Sequence, residues 1–168
     1  MSEVRLDEVD GDVVKTLVKF CYSGRMTLTE ENVQAILETA AYFEIASAIA
    51  ECCNVLTGKL TPQNCVAIGL LAELHQLTDL CHSHARFVAK HFQTIVAQKD
   101  FLKMSVKQLC FILKQDDLNV TSEETVFHAI TNWVRSDEAN RKALAPILMN
   151  CIRMELLRPS VEYSCCWS

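Results

Sequence analysis

The sequence predicts a mainly α-helical protein. Long stretches carry apolar residues at helical spacing, and only four glycines and three prolines interrupt the 168 residues. The alternation that marks strands is limited to Val4–Leu6 and to a short segment from Arg25 to Leu28. Hydrophobic residues make up 50% of the chain, which is enough to build a real core at this length.

Three helices are predicted in the first 58 residues. The first places its apolar residues on one face: Val13, Val14, Leu17, Val18 and Cys21. Gly24 follows at the position where a left-handed residue ends a helix. Thr29 is the expected cap of the second helix, whose apolar residues have helical spacing: Val33, Ile36, Leu37, Ala40 and Ala41. A third helix is predicted from Ile45 to Leu56, stopping near Gly58.

The rest of the chain predicts further helices with recognisable starts. Thr61 and Pro62 offer a cap followed by proline at the first helical position. Segments 105–108 and 121–124 match the capping box, in which Glu or Gln follows a Ser or Thr cap by three residues. Asp137 is the expected cap of a last helix through Leu148. No internal repeat of solenoid period is visible.

The composition argues against several classes of partner. A net charge of −5 without a Lys/Arg cluster is unsuited to nucleic acid, since phosphates require a concentrated basic face. The longest apolar runs, such as residues 65–72, fall far short of the roughly 20 residues that span a bilayer. The acidic N-terminus lacks the apolar core of a signal peptide. We therefore expect a cytoplasmic protein with no membrane partner, whose nine cysteines are reduced thiols.

Residues 64–92 hold four of the five histidines and raise the question of a metal site. On a helix placed over residues 77–96, Cys81, His84 and His91 share one face, and His75 precedes them. Tetrahedral zinc needs about four such ligands, but CxxC and HExxH spacings are absent from the sequence. We favour core cysteines and partly buried, hydrogen-bonded histidines, and a metal-binding protein remains the alternative.

The sequence also lacks the usual signatures of an enzyme. It contains no GxSxG, P-loop or GxGxxG motif, and no cysteine stands beside a recognisable oxyanion-binding loop. Trp133 falls on an apolar helical stripe, which favours a core position over a ligand platform. We expect neither catalytic residues nor a cofactor, and the residues alone predict a mainly helical interaction domain.

Several motifs carry a resemblance to a known family. L-x-P-x-N-C at 60–65, A-x-x-H at 72–75 and HF at 91–92, followed by SEETVFHAITNWVRSD at 122–137, resemble a BACK domain. Upstream, the Tyr22-Ser23-Gly24 corner and the helix from Asn32-Val33 to Ala40-Ala41 resemble the second half of a BTB domain. The chain is similar to Kelch-like (BTB-BACK) proteins over about residues 4–157.

The resemblance implies a function and a set of partners. Proteins of this family are non-catalytic substrate adaptors of cullin-RING ubiquitin ligases, in which BTB and the first BACK helix pair bind the N-terminal region of the third cullin. Substrates are bound by a β-propeller of kelch repeats, which this sequence does not contain. Full-length relatives form BTB homodimers, an expectation that does not extend to this chain because the first half of BTB is missing.

By motif position, the residues expected to contact the cullin are Tyr22, Tyr42 and Asn64. For each there is a structural alternative: Tyr22 packs under the turn, for example, or Asn64 only bonds backbone near its helix start. An apolar, preformed groove with a polar rim is the surface that such a partner segment requires.

The resemblance also predicts the domain organisation. A helical C-terminal half of a BTB/POZ domain occupies residues 1–58, an incomplete all-α BACK domain occupies 59–159, and 160–168 form a divergent tail. The divergent ending is typical of a truncated or alternatively spliced product, or of an inaccurate gene model. A second function class therefore stays open, namely a non-degradative interaction module that acts as a competing isoform or as an actin/cytoskeletal scaffold.

Overall fold

The computed structural model describes residues 10–151, which are mainly α-helical as the sequence predicts. The helices are α1 (Gly11–Ser23), α2 (Val33–Tyr42), α3 (Ala46–Gly58), α4 (Cys65–Leu74), α5 (Thr78–Lys90), α6 (Phe92–Val96), α7 (Val106–Leu113), α8 (Glu123–Arg135), α9 (Glu138–Arg141) and α10 (Ala145–Met149). Short 3-10 turns lie at Lys99–Lys103 and Lys142–Leu144.

The strand predicted for Arg25–Leu28 is wrong. This segment is irregular, and residues 10–151 contain no strand with which it could pair. A strand needs a neighbour to satisfy its backbone hydrogen bonds. The other candidate, Val4–Leu6, lies outside the described residues.

The chain divides into two compact units, Met1–Lys59 and Leu60–Ser168. In the first unit, α2 and α3 pack against each other and α1 packs on α2. All three helices contribute to its buried core: Leu17, Phe20, Val33, Ile36, Leu37, Ala40, Ala48, Cys52 and Leu56.

Helix α1 ends as predicted but buries a narrower face than expected. Gly24 is left-handed, with φ of 65°, and its N–H donates to the Phe20 carbonyl at 2.8 Å. Leu17 and Phe20 are buried, whereas Val18 is 50% exposed and Cys21 is exposed. Because α1 packs mainly on α2, only one stripe of its surface is covered.

In the second unit, helices α4 to α8 and α10 pack around one core, and α9 contributes no buried residue to it. Phe92 and Phe101 meet edge to face at its centre, with ring centroids 6.2 Å apart. Trp133 is also buried there, and its indole N–H donates to the Met104 carbonyl at 2.9 Å. The prediction that Trp133 is a core residue is therefore confirmed.

Arg141 of α9 links the end of α8 to the 3-10 turn at Lys99–Lys103 through hydrogen bonds. Its guanidinium lies 4.2 Å from the centroid of the Trp133 ring. It donates to the carbonyls of Trp133 at 2.9 Å and Leu102 at 2.8 Å, and to the Ser136 hydroxyl at 2.7 Å. A planar group with several fixed donors is needed to make all of these contacts at once.

Replacing Arg141 with lysine is expected to lower the free energy of unfolding by about 2 kcal/mol, because an ammonium cannot reproduce the spread of donors or the stacking. Arg135→Lys is the matched control, since Arg135 is exposed at the end of α8. Urea unfolding followed by circular dichroism measures both. Equal midpoints for the two variants would contradict the role given to Arg141.

Two helical hairpins, α2–α3 and α4–α5, share one structure at a spacing of 32 residues. Thr61 is equivalent to Thr29, and Gln76 is equivalent to Glu44. Each hairpin has a first helix of 10 residues and a second of 13. Each turns through a non-glycine residue in the left-handed region, at Glu44 with φ of 56° and Gln76 with φ of 54°. The sequence pattern alone did not predict this two-copy repeat.

The hairpins also begin alike, with a reciprocal threonine–asparagine pair. The Thr29 N–H donates to Asn32 Oδ1 at 2.7 Å, and the Asn32 N–H donates to the Thr29 hydroxyl at 3.3 Å. Thr61 and Asn64 make the same two bonds at 2.8 and 3.3 Å. The cap positions of α2 and α4 are Asn32 and Asn64, so the prediction of Thr29 and Thr61 as caps is wrong by three residues. Each threonine instead supports the turn that leads into its helix.

The equivalent buried positions of the hairpins exchange large and small side chains. Leu37 and Cys52 are buried in the first hairpin, and Gly69 and His84 hold the same positions in the second. The His84 ring lies against Gly69, so that a Cβ added to Gly69 would lie 2.5 Å from Nε2. The side chain at the α4 position is therefore smaller than its counterpart in α2, and the side chain at the α5 position is larger than its counterpart in α3. The filled volume is thus similar in both hairpins, as close packing requires.

Other helix boundaries differ from the predictions for local reasons. Ser105 and Gln108 form the predicted capping box at α7. At α8 the cap position is Ser122 instead of Thr121, because the Thr121 hydroxyl accepts a hydrogen bond from Gln93 at 2.9 Å. The helix predicted over residues 77–96 is broken at His91, which separates α5 from α6.

The single helix predicted from Asp137 to Leu148 is three short pieces. Helix α9 is followed by the 3-10 turn at Lys142–Leu144, and Pro146 is the second residue of α10. Proline lacks an N–H, and its ring clashes with the carbonyl four residues earlier, so a continuous helix cannot pass through Pro146.

Candidate functional site

Tyr22 stands at the end of α1 and is 91% exposed. Val18 lies one turn earlier on the same helix and is half exposed. The structural alternative, that Tyr22 packs under the turn, is therefore wrong. An exposed aromatic side chain beside an apolar one provides a surface suited to contact with another protein.

Tyr42 closes α2 and is 71% exposed. Its ring meets that of Phe43 edge to face, with centroids 5.1 Å apart. The left-handed Glu44 follows directly and turns the chain into α3. The corner between α2 and α3 thus presents two aromatic rings held at a fixed angle to each other.

Asn64 precedes α4, and its side chain is bonded to local backbone. Its Oδ1 accepts from the Thr61 N–H, in the reciprocal pair described above. The alternative reading of Asn64, as a residue that bonds backbone at its helix start, thus describes its observed contact. Tyr22 and Tyr42 belong to the packed helices α1 and α2, whereas Asn64 belongs to the second unit.

Leu70 and Leu74 are exposed apolar residues of α4 that sequence reasoning missed. They lie one turn apart, and Leu74 is 74% exposed. Leu74 stands 32 residues after Tyr42, at the equivalent end of the first helix of its hairpin. The hairpin repeat was the signal that would have identified it.

A shallow groove of about 420 Å³ on the second unit was also missed. One face of α7 and a single residue of α10 line it: Val106, Lys107, Cys110, Phe111, Lys114 and Ile147. The groove has an apolar floor with two lysines, the composition of many protein-binding surfaces. Its residues follow the i, i+4, i+8 spacing of α7, but in the sequence this spacing merges with the buried stripe.

The His/Cys stretch does not converge on a metal site. His84 is 2% exposed, whereas His91 is exposed and its ring lies 4.6 Å from that of Phe87. Within residues 10–151 no group of three or more His, Cys, Asp or Glu side chains is arranged to hold a metal ion. The geometry thus gives the metal-binding alternative no support in the part of the chain that the structure describes.

His84 is instead a packing residue. Burial lowers the pKa of His84 to about 4, so the ring is neutral at pH 7. Its Nε2 makes no hydrogen bond within residues 10–151. The expectation of hydrogen-bonded histidines is wrong for this nitrogen, because it faces the backbone of Gly69.

None of the described helices is both long and apolar enough to cross a membrane.

Comparison with known proteins matches two domain families in sequence. Residues 1–60 match the BTB/POZ domain, and residues 65–164 match the domain described as BACK, BTB And C-terminal Kelch. The two matches occur in that order and together cover nearly the whole chain.

Several curated proteins are similar over 156 residues, or 93% of this chain. Kelch-like protein 2 of Mus musculus is 35% identical and Kelch-like protein 17 of Mus musculus is 33% identical. Kelch-like protein 3 of Homo sapiens is 32% identical. The matched region is 26%, 24% and 27% of these proteins, respectively, so the chain spans about a quarter of their length.

Proposed function

Since the chain belongs to the family of Kelch-like BTB-BACK proteins, we propose that it acts as a non-catalytic substrate adaptor of a cullin-RING E3 ubiquitin ligase. The observation that carries the proposal is the presence of a BTB match followed by a BACK match over nearly the whole chain. Adaptors of this family are generally non-enzymatic. Their task is to hold two proteins together, which requires surfaces and not a reaction centre.

The proposed partner is the N-terminal region of the third cullin, and the proposed place of action is the cytoplasm. Substrate proteins are proposed to bind to kelch repeats, which are not among these 168 residues. The proposed domains are a partial BTB/POZ domain at 1–58, a BACK domain at 59–159 and a tail at 160–168. The tail lies outside the described residues, and the BACK match extends into it as far as residue 164.

The exposed rings of the first unit support this proposal. Tyr22 and Tyr42 bury large areas at little conformational cost when a partner covers them, and tyrosine is enriched among residues that dominate binding energy. Folding alone does not explain two tyrosines with most of their surface in water. We therefore propose both as cullin contacts, and Asn64 as a third whose side chain also supports the start of α4.

Tyr22→Ala and Tyr42→Ala are each expected to weaken cullin binding about tenfold or more, because each removes a ring that a partner would cover. Affinity for the N-terminal domain of the third cullin is measured by calorimetry on each variant. Neither substitution is expected to change the melting temperature, since both side chains are largely exposed.

Ile147→Ala serves as the matched control, because Ile147 is a large exposed apolar residue outside the proposed contacts. Asn64→Ala is measured in the same series, with the expectation that both affinity and stability fall. If the tyrosine variants bind as well as the Ile147 control, these rings are not the contacts.

A second candidate function is that of a non-degradative interaction module. The groove along α7 favours this second function. Its apolar floor and two lysines suit a protein partner other than the cullin. Reconstituted ubiquitination separates the two functions. An adaptor brings a bound protein to the ligase for modification, whereas a competing module lowers the modification supported by a full-length relative.

A further inference from the structure

The thiols of Cys110 and Cys151 meet between two helices of the second unit. Cys110 lies on α7, and Cys151 follows the end of α10, which packs against α7. Cys110 and Ile147 line the groove along α7 together, and Cys151 is the neighbour that helps to raise the pKa of the Cys110 thiol. The Cys151 thiol also reaches the Ile147 carbonyl at 3.5 Å.

Both thiols are accessible enough to react. Cys110 and Cys151 are half-buried at the edge of the core, and Cys110 lines the groove along α7. Cys52 and Cys65, by contrast, are fully buried, and burial raises their pKa to about 12 and 11, respectively. Since the thiolate is the reactive form, those two behave as inert core residues.

We propose that Cys110 and Cys151 form a redox modification site, in which hydrogen peroxide converts the two thiols into a reversible intramolecular disulfide. The position of both cysteines beside Ile147, where α7 packs against α10, carries the proposal, because disulfide formation needs two cysteines that already lie close to each other. In a reducing compartment such a bond forms as a response to oxidant and not as a permanent staple.

The reaction balances in two steps. The Cys151 thiolate attacks one peroxide oxygen, which breaks the O–O bond, gives a sulfenic acid at Cys151 and releases hydroxide. The Cys110 sulfur then attacks the Cys151 sulfur and displaces hydroxide as the S–S bond forms. The two thiol protons and the two hydroxides leave as two waters, so the thiols lose two electrons and the peroxide gains two.

The order of the two thiols follows from their surroundings. Burial is the main reason that the pKa of Cys110 is raised, with the neighbouring Cys151 as a further cause. A thiol that ionises late suits the second, resolving step better than the first attack. Cys110 is therefore assigned as the resolving cysteine and Cys151 as the one oxidised first.

The bond would tie α7 to the end of α10 and enclose α8, α9 and α10 in one loop. Closing a loop of this length restricts the unfolded chain and stabilises the folded one. The bond would also fix one wall residue of the groove along α7. Oxidation is thus expected to stiffen the second unit along this groove.

The test is peptide mapping of the full 168-residue chain after treatment with one equivalent of hydrogen peroxide. Tryptic cleavage places Cys110 in peptide 108–114 and Cys151 in peptide 143–153. The expected product is these two peptides joined, two hydrogen atoms lighter than their sum and separated by dithiothreitol. The oxidised chain is expected to melt roughly 5–15 °C higher than the reduced chain.

Cys110→Ser and Cys151→Ser are each expected to abolish the joined peptide and the shift in melting temperature. Cys81→Ser, which changes another half-buried thiol, should leave both unchanged. Recovery of Cys110 and Cys151 in unlinked or separately oxidised peptides from the wild-type chain would overturn the proposal. So would linkage of either cysteine mainly to another partner.

Discussion

Replacing Gly69 with leucine is expected to destabilise the second unit by about 3 kcal/mol or more. Even the first added atom, a Cβ, would lie 2.5 Å from Nε2 of His84, and the imidazole is 2% exposed and has little room to move. Overpacking of a close-packed core typically costs 1–3 kcal/mol, and a whole leucine side chain lies at the upper end of that range or beyond it. Chemical unfolding of the purified chain measures the loss.

The repeat predicts a rescue of this variant. In the first hairpin a leucine, Leu37, and a small residue, Cys52, hold the positions of Gly69 and His84. The double variant Gly69→Leu with His84→Cys copies that arrangement into the second hairpin. We expect it to recover most of the stability lost in Gly69→Leu, with a coupling energy of about 2 kcal/mol between the two positions.

Gly58→Ala is the control for adding a side chain to a helical glycine, because a Cβ at Gly58 meets nothing within 4 Å. It is expected to leave stability unchanged or slightly higher. If the double variant is no more stable than the sum of its single changes predicts, the two hairpins do not share a packing rule.

Lowering the pH from 7 to 5 is expected to cost about 2 kcal/mol of stability through His84 alone. Its pKa is about 4 in the folded protein and about 6.5 in the unfolded chain. Between these values the unfolded chain binds more protons, so stability rises with pH in that window and falls as the pH drops through it. Full protonation below pH 4 would bring the loss to about 3 kcal/mol.

The matched variant for this prediction is His84→Met, which fills a similar volume without titrating. Unfolding free energies of both proteins are measured from pH 7.5 to pH 4.5. The difference between wild type and variant isolates His84 from the carboxylates and the other histidines. Parallel pH profiles would show that protonation of His84 is not what destabilises the folded chain.

Local sequence signals predicted most of the helices. Gly24 and Ser105 act where a stop and a cap were expected, because each satisfies backbone groups of its own helix. The predictions of helix boundaries that failed did so for tertiary or steric reasons. The Thr121 hydroxyl accepts a hydrogen bond from Gln93, which lies 28 residues earlier in the chain. Pro146 interrupts a pattern whose apolar spacing alone looks continuous.

The repeat was hidden because packing conserves volume and not identity. Leu37 and Gly69 differ greatly, as do Cys52 and His84, yet each pair fills the same kind of space. Exposed surfaces were equally hard to predict. Val18 belongs to a helical apolar stripe, and only the tertiary arrangement shows that it is half exposed.

The candidate site was predicted in part. Tyr22 and Tyr42 were identified through the resemblance, and their exposure suits a binding role that remains a prediction. Leu74 and the groove along α7 were not identified, because apolar residues on a helix are assigned to a core unless the fold shows otherwise. Exposure of an apolar side chain is a property of the assembled structure.

The most direct test of the adaptor proposal is a calorimetric titration of the purified chain with the N-terminal domain of the third cullin. A circular-dichroism melt of the same sample shows whether the chain is folded. The proposal predicts saturable binding with micromolar or better affinity to a protein that melts cooperatively. A cooperatively folded chain that shows no binding would contradict it.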